Sequence, residues 1–210
     1  MNHLAEDLAP LFPDQNPFST WAVRPGAIVF RLDDSQTVDT LIARLAEHDW
    51  WGEIVGPHGS GKSSLLATLS DPIEQAGRQL CRYRVRRGER QMPIATSDLQ
   101  AWSDKTQVVI EGYEQLGARN RKLIEVTARR RKAGLLVTCH TPLALPTLYE
   151  TNVTLELAQG IVRDLIPANC TFIHDDDVQA AFERNGQNMR ELLFNMYDLY
   201  EKRRPRDSNS

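Results

Sequence analysis

The sequence predicts a three-layer α/β/α fold with a five-stranded parallel sheet and a small C-terminal helical subdomain. Short apolar runs alternate with helical patterns as far as residue 158, which is typical of parallel strands joined by right-handed crossovers. A glycine-rich turn directly follows the first apolar run, as expected where such a strand leads into a helix. Beyond residue 158 the pattern becomes purely helical, which predicts the separate subdomain.

The N-terminal part of the chain is predicted to lead into this sheet. Residues 1–28 contain several prolines and little periodicity, which predicts an irregular segment. A helix is predicted at about residues 36–48, where apolar residues recur at helical spacing. The segment WWGEIV then predicts the first strand, and LLATL predicts the helix that follows the glycine-rich turn.

The remaining strands are predicted at residues 79–86, 107–112, 134–140 and 152–157, with a charged helix at about 116–132. In the first of these, Arg82, Arg84 and Arg86 alternate with apolar residues, so one face of the strand is polar. A central strand of a parallel sheet is buried on both faces and apolar throughout. The segment is therefore predicted to be an edge strand.

Three helices are predicted after the sheet. They cover residues 159–165, a segment from about Asp175 to Gly186 that opens with three acids, and about 188–203. The predicted organisation is an irregular lead-in at 1–28, an α/β core at 29–158, a helical lid at 159–203 and a disordered tail at 204–210.

Composition narrows the class of protein. The chain has 210 residues, is 41% apolar and carries a net charge of −3, so it can bury a core and has no global charge that requires an anionic partner. Three cysteines without metal-ligand spacing fit a reducing compartment. No apolar run approaches the ~20 residues of a membrane span. We therefore expect a soluble, cytoplasmic protein.

The glycine-rich turn has the spacing G-x-x-x-x-G-K-[ST] and lies between an apolar strand and a helix. Its glycines let successive N–H groups point at one phosphate, and the helix directs its positive end to the same anion. Lys62 is predicted to reach the β- and γ-phosphates of ATP, and the Ser63 hydroxyl is predicted to ligate Mg²⁺. The predicted binding loop comprises Gly56, Pro57, His58, Gly59, Ser60, Gly61, Lys62, Ser63 and Ser64.

A second motif, VVIEGYEQL, ends the third predicted strand with acids, as in a Walker B motif. Glu111 is the candidate ligand for hydrated Mg²⁺, and Glu114 is the candidate base that polarises the attacking water. The position after Glu111, where an acid is usual, is Gly112. Nucleotide binding does not depend on these acids, whereas hydrolysis does.

Three further polar residues are candidates for sensing the nucleotide. Thr138 and His140 end the fourth predicted strand, on the edge of a parallel sheet that faces the ligand. Either could sense the γ-phosphate or orient water. Arg190 lies one turn into the last predicted helix and could contact the phosphates from the lid.

With these motifs the chain resembles the AAA+ and related additional-strand P-loop ATPases. NPFSTWAVRPG is similar to the lead-in of secretion-type and transposition-type AAA ATPases, EGYEQL looks like the DGxDE form of NACHT-like ATPases, and GQNMREL resembles the sensor-2 segment. The resemblance implies the strand order 5-1-4-3-2, the sensor-2 role for Arg190 and the sensor-1 role for Thr138 or His140.

Departures from that family limit the interpretation. No arginine lies between His140 and Arg163, where an arginine finger is expected, so the sequence does not favour a self-assembling hexameric motor. The chain also lacks the LSGGQ signature of ABC ATPases and an NKxD guanine motif, which favours ATP over GTP.

Three functions remain open from the sequence. The first is an ATP-dependent switch or slow ATPase stimulated by a protein partner or by self-association. The second is a small-molecule or nucleotide kinase, in which the arginine-rich segment 82–90 would clamp an acceptor phosphate. The third is a nucleic-acid-associated ATPase, because basic runs at residues 119–122 and 129–132 lie on one predicted helix.

Overall fold

Within the described residues, five parallel strands form one sheet in the order β2-β3-β4-β1-β5. The computed structural model describes residues 16–33, 35–89 and 94–205. The strands are β1 Trp51–Val55, β2 Gln79–Arg84, β3 Thr106–Glu111, β4 Gly134–Cys139 and β5 Thr147–Glu150. This order is the predicted 5-1-4-3-2 arrangement, and it confirms the prediction that β2 is an edge strand.

The described helices are α1 Val38–Glu47, α2 Lys62–Gln75, α3 Thr96–Ala101, α4 Ala118–Arg131, α5 Leu155–Leu165, α6 Asp175–Asn185 and α7 Met189–Arg203. Of these, α3 follows no predicted pattern, because its six residues are too few to show a period. Part of the predicted lead-in (residues 1–15), part of the arginine-rich segment (Arg90) and most of the predicted tail (206–210) lie outside the described residues.

The sheet separates two apolar cores, because alternate residues of its central strands point to opposite faces. On one face, Val108 and Leu135 pack in the core that includes Ile124 of α4. On the other, Val109 and Leu136 pack in the core formed with α1 and α2. The central strands are therefore mostly apolar, with the buried Glu53 of β1 as an exception, and the candidate site residues lie where the strands end.

A third core joins α5, α6 and α7, and it includes a residue of the lead-in. The ring of Phe18 is fully buried there. Asn16 supports this position, since its side-chain amide donates hydrogen bonds of 3.0 Å to the carbonyl of Tyr197 and to Glu201. The lead-in thus belongs to the packing of the helical part.

The prediction of a fifth strand at residues 152–157 was wrong. The strand is Thr147–Glu150, and the segment NVTLEL contains the start of α5 instead. Thr154 is the reason, because its hydroxyl accepts a hydrogen bond of 3.2 Å from the Leu157 N–H and so caps the helix. Helix α5 begins ahead of the predicted lid boundary at residue 159, and the predicted domain limits remain predictions.

A helix that crosses a membrane must be both long and apolar. In the part of the chain that the structure describes, no helix combines the length and the apolarity that a membrane span requires.

Candidate nucleotide-binding site

The glycine-rich loop connects the end of β1 to the start of α2. Gly59 and Gly61 have φ angles of +71° and +95°, a left-handed backbone that glycine adopts without strain. Gly61 is the N-cap of α2, and the first turn of this helix contains no acid. The N–H groups at this helix end are therefore available to an anion, with no carboxylate of their own turn to compensate them.

Lys62 lies folded over the loop. Its Nζ donates hydrogen bonds of 2.5 Å to the carbonyl of Gly56 and 2.6 Å to that of Pro57. Burial lowers the pKa of Lys62 below its ordinary value, and the nearby Glu114 carboxylate opposes part of this shift. Phosphate oxygens at the loop would be stronger acceptors for this ammonium group than the two carbonyls.

Two segments cover the loop from above. Ser60 Oγ lies 2.5 Å from the hydroxyl of Thr151, the residue that directly follows β5. This contact links the loop to the segment after the last strand. A Cβ atom added at Gly59 would clash with Oδ1 of Asn188, the N-cap of α7. The last helix of the predicted lid thus begins in direct contact with the phosphate loop.

Glu111 and Ser63 are brought together at the end of β3. The Ser63 hydroxyl donates a hydrogen bond of 2.6 Å to Glu111 Oε2. Arg84 of the edge strand lies on the same carboxylate, with its Nη2 at 2.9 Å from Oε1 and 3.1 Å from Oε2. A hydroxyl beside a carboxylate is the oxygen donor set that fits Mg²⁺, and the guanidinium shows that a cation is stabilised at this position.

Gly112 explains the departure from the usual acidic pair. Its φ angle is +74°, and a Cβ atom there would lie 2.5 Å from the carbonyl oxygen of Val85. Its N–H donates a hydrogen bond of 3.1 Å to the Thr138 hydroxyl. An acidic side chain therefore does not fit at position 112. The next acid after Glu111 is Glu114, three residues further along the chain.

Replacing Gly112 by alanine is expected to lower the free energy of unfolding by about 1–3 kcal/mol, because the left-handed backbone and the contact with Val85 both oppose a side chain. Urea unfolding measures this change. Gly117→Ala is the matched control, since no atom lies within 4 Å of a Cβ there. Equal losses in the two variants would contradict this explanation.

Glu114 lies in a turn of 3-10 helix, Tyr113–Gln115, that follows β3. Its Oε1 lies 2.8 Å from Nδ1 of His140, and its Oε2 is buried with no hydrogen-bond partner among the described residues. The ring of His140 also packs against His58 of the loop, with 3.7 Å between the ring centroids. One carboxylate oxygen is thus held in place, while the other has a hydrogen-bonding capacity that no described residue satisfies.

Burial lowers the pKa of His140 below its ordinary value, and the charges of Lys62 and His58 act in the same direction. The Glu114 carboxylate raises that pKa and offsets the shift only in part. This shift favours the neutral form of the imidazole, and Nδ1 of His140 faces the Glu114 carboxylate.

Thr138 and Arg190 both line the cavity beside the loop. The Thr138 hydroxyl is buried and accepts the Gly112 N–H, so it holds the turn after β3 in place. The Arg190 side chain is exposed, and its charge contributes to the lowered pKa of Lys62. Arg190 is the second residue of α7 and so lies nearer the start of the helix than predicted, and the sensor roles of both residues remain predictions.

The cavity beside the loop has a volume of about 460 Å³. The sequence patterns did not predict one of its walls, which is apolar. This apolar wall comes from residues 23–29, from α5 and the segment directly before it, and from α7: Val23, Ile28, Val29, Val153, Leu157, Ile161 and Leu193. Each residue belongs to an ordinary apolar pattern of its own segment. Only the packing of the lead-in on α5 and α7 places them beside the phosphate loop.

The all-parallel sheet in this order, with a phosphate-binding loop sequence between β1 and α2, defines a fold of the P-loop NTPase type. No known protein family matches the chain, and no curated protein matches it. Among solved structures, the chain is similar to PCH-2 from C. elegans, with a TM-score of 0.38 and 12% identity over 79% of this chain and 67% of that chain. A likeness this distant assigns no function.

Proposed function

We propose that this protein binds ATP with Mg²⁺ and acts as a switch with slow or partner-stimulated hydrolysis. One observation supports this most directly: the Ser63 hydroxyl and the Glu111 carboxylate meet at 2.6 Å beside the amino end of α2. Phosphate-binding N–H groups and a cation-binding oxygen pair thus lie side by side. A phosphate chain carrying a divalent cation needs both.

A nucleotide fits the cavity better than a small anion does. The volume of about 460 Å³ lies within the usual range for ligand pockets, and the wall away from the loop is apolar. We assign the triphosphate to the loop and the base to the apolar wall near Ile28, Leu157 and Leu193. Arg190 would then contact the phosphates from α7.

Hydrolysis is assigned to Glu114. Its free Oε2 would accept a proton from water, while His140 holds Oε1 and so keeps the carboxylate oriented. Lys62 would hold the terminal phosphate, and Ser63 and Glu111 would hold Mg²⁺. The bound metal ion would neutralise the charge that develops on the phosphate oxygens.

The switch is assigned to the helical part. The amino end of α7 contacts Gly59 of the phosphate loop, and α5 and α7 contribute to the cavity wall. Occupation of the cavity would therefore change how these helices pack against the sheet. A protein partner, or a second copy of the chain, would bind to the surface that changes.

The test is a titration of the purified protein with ATP and Mg²⁺, followed by melting temperature and by phosphate release. Stabilisation with phosphate release supports an ATPase, and stabilisation alone supports a switch that needs its partner. If ATP and GTP both leave the melting temperature unchanged, the proposal is wrong.

The kinase alternative is not favoured by the contacts. Arg84 is paired with Glu111, and Arg82 donates to the Ser70 hydroxyl. Arg82 is therefore engaged outside the cavity lining, and an acceptor phosphate would have to compete with the Glu111 carboxylate for Arg84.

A second candidate function, association with nucleic acid, is favoured by the surface of α4. In the described part of the chain, no carboxylate forms an ion pair with the exposed basic residues of this helix and its end. Exposed cations without carboxylate partners attract a phosphate backbone even on a chain of negative net charge. These exposed residues are Arg119, Lys122, Arg129, Arg130, Arg131 and Lys132.

If α4 binds nucleic acid, the variant Arg130→Gln/Arg131→Gln should weaken binding to duplex DNA and reduce the slope of log affinity against log salt by roughly 2. Fluorescence anisotropy from ~50 mM salt upward measures both effects. The control Arg184→Gln/Lys202→Gln removes the same charge from the helical part. Absence of binding by the wild type at the lowest salt would exclude this function.

A further inference from the structure

The guanidinium of Arg84 contacts the carboxylate of Glu111, the proposed metal ligand. Arg84 lies opposite Glu111 in the register between β2 and β3, on the polar face of the edge strand. Its Nη2 contacts both oxygens of the carboxylate, one of which also accepts from Ser63. Arg84 and Ser63 thus share one carboxylate at the edge of the cavity.

We propose that Arg84 competes with the divalent cation for Glu111 and so sets the metal dependence of ATP binding. This inference rests on the proposed function. A carboxylate with one guanidinium already in contact has less charge left for Mg²⁺, so the metal ion must displace Arg84. Without metal, the same guanidinium keeps Glu111 from repelling the phosphates.

Glu111 and Arg84 differ in burial, and therefore in how easily each side chain can leave the ion pair. The Glu111 side chain is only 24% exposed, whereas that of Arg84 is 60% exposed. The carboxylate therefore stays in place and needs a cation, while the guanidinium can leave for solvent at little cost. Arg84 lines the cavity together with Glu111.

Holding β2 in the sheet does not require this ion pair. The pairing of β2 with β3 runs without a register shift from Gln79 opposite Thr106 to Arg84 opposite Glu111. A salt bridge this exposed adds little to such a ladder. Its position on the proposed metal ligand is the feature that strand pairing leaves unexplained.

The test compares ATP affinity in excess Mg²⁺ with ATP affinity in EDTA, by isothermal titration calorimetry on the full chain. In Arg84→Gln, the ratio of the Kd in EDTA to the Kd in Mg²⁺ is expected to rise about fivefold, the effect of one favourable ion pair. Dividing the two constants cancels any contact that Arg84 makes with phosphate under both conditions. Arg82→Gln removes an arginine from the same face of β2 and should leave the ratio unchanged.

Arg84→Lys provides a second variant with the charge retained, and its ratio should lie between those of the wild type and Arg84→Gln. Melting temperatures without ligand identify any variant that is unfolded. An unchanged ratio in Arg84→Gln, or an equal rise in Arg82→Gln, overturns the inference while ATP binding stands. If the wild type binds no ATP in either condition, the proposed function is wrong and the inference is overturned with it.

Discussion

Lys62→Ala is expected to weaken ATP binding at least about 100-fold and to abolish the rise in melting temperature with ATP and Mg²⁺. Hydrogen bonds from an ammonium group to phosphate oxygens contribute about 1.5–3 kcal/mol each, and Lys62 is placed to make two. The variant also loses a positive charge at the amino end of α2, where the phosphates are proposed to bind.

The stability of the free protein should respond differently. Lys62 is partly buried, and burial lowers its pKa below the ordinary value, so its charge is not favoured by its surroundings. Without nucleotide, the melting temperature of Lys62→Ala should therefore stay close to that of the wild type. Lys105→Ala is the control, because Lys105 is exposed on the loop before β3. Wild-type affinity in Lys62→Ala would refute the assignment of the loop.

Glu114→Gln should lower the rate of phosphate release by about 100-fold or more, while ATP still binds. The amide retains the shape of the side chain but cannot accept a proton from water. Single-turnover assays with excess protein measure this step even when the basal rate is low. Binding should change little, because the Glu114 side chain contacts His140 and not the loop.

The variant Glu111→Gln distinguishes the proposed role of Glu111 in metal binding from that of Glu114 in hydrolysis. Glu111 accepts from Ser63 and Arg84, so its amide variant should weaken Mg²⁺-dependent binding as well as turnover. Glu114→Gln should affect turnover alone. A Glu114→Gln protein that releases phosphate at the wild-type rate would exclude Glu114 as the base, and hydrolysis would then depend on another group.

The proposed phosphate loop could be located from the sequence because its determinants are contiguous. Between Gly56 and Ser64, the residue types that the backbone conformation requires also supply the binding groups. The edge position of β2 could be predicted for a similar reason, since Arg82 and Arg84 cannot both be buried on one face of a central strand. In both cases a local pattern has one physical explanation.

Local patterns gave a wrong prediction where the same residues are compatible with both a strand and a helix. NVTLEL contains β-branched and alternating residues, yet the hydroxyl of Thr154 caps a helix there and the last strand forms earlier, at Thr147–Glu150. The order of charged and apolar residues could not choose between these outcomes. The choice depends on which segment pairs with β1.

The sequence alone thus determined the class of fold and the position of the proposed phosphate loop, because both depend on residues that are close together in the chain. The tertiary structure decided three other features. The apolar cavity wall needs the lead-in packed on α5 and α7, the contact between Arg84 and Glu111 needs the register of β2 on β3, and the held Glu114 needs His140 from the next strand. Each joins segments far apart in sequence, and only chain packing brings such segments together.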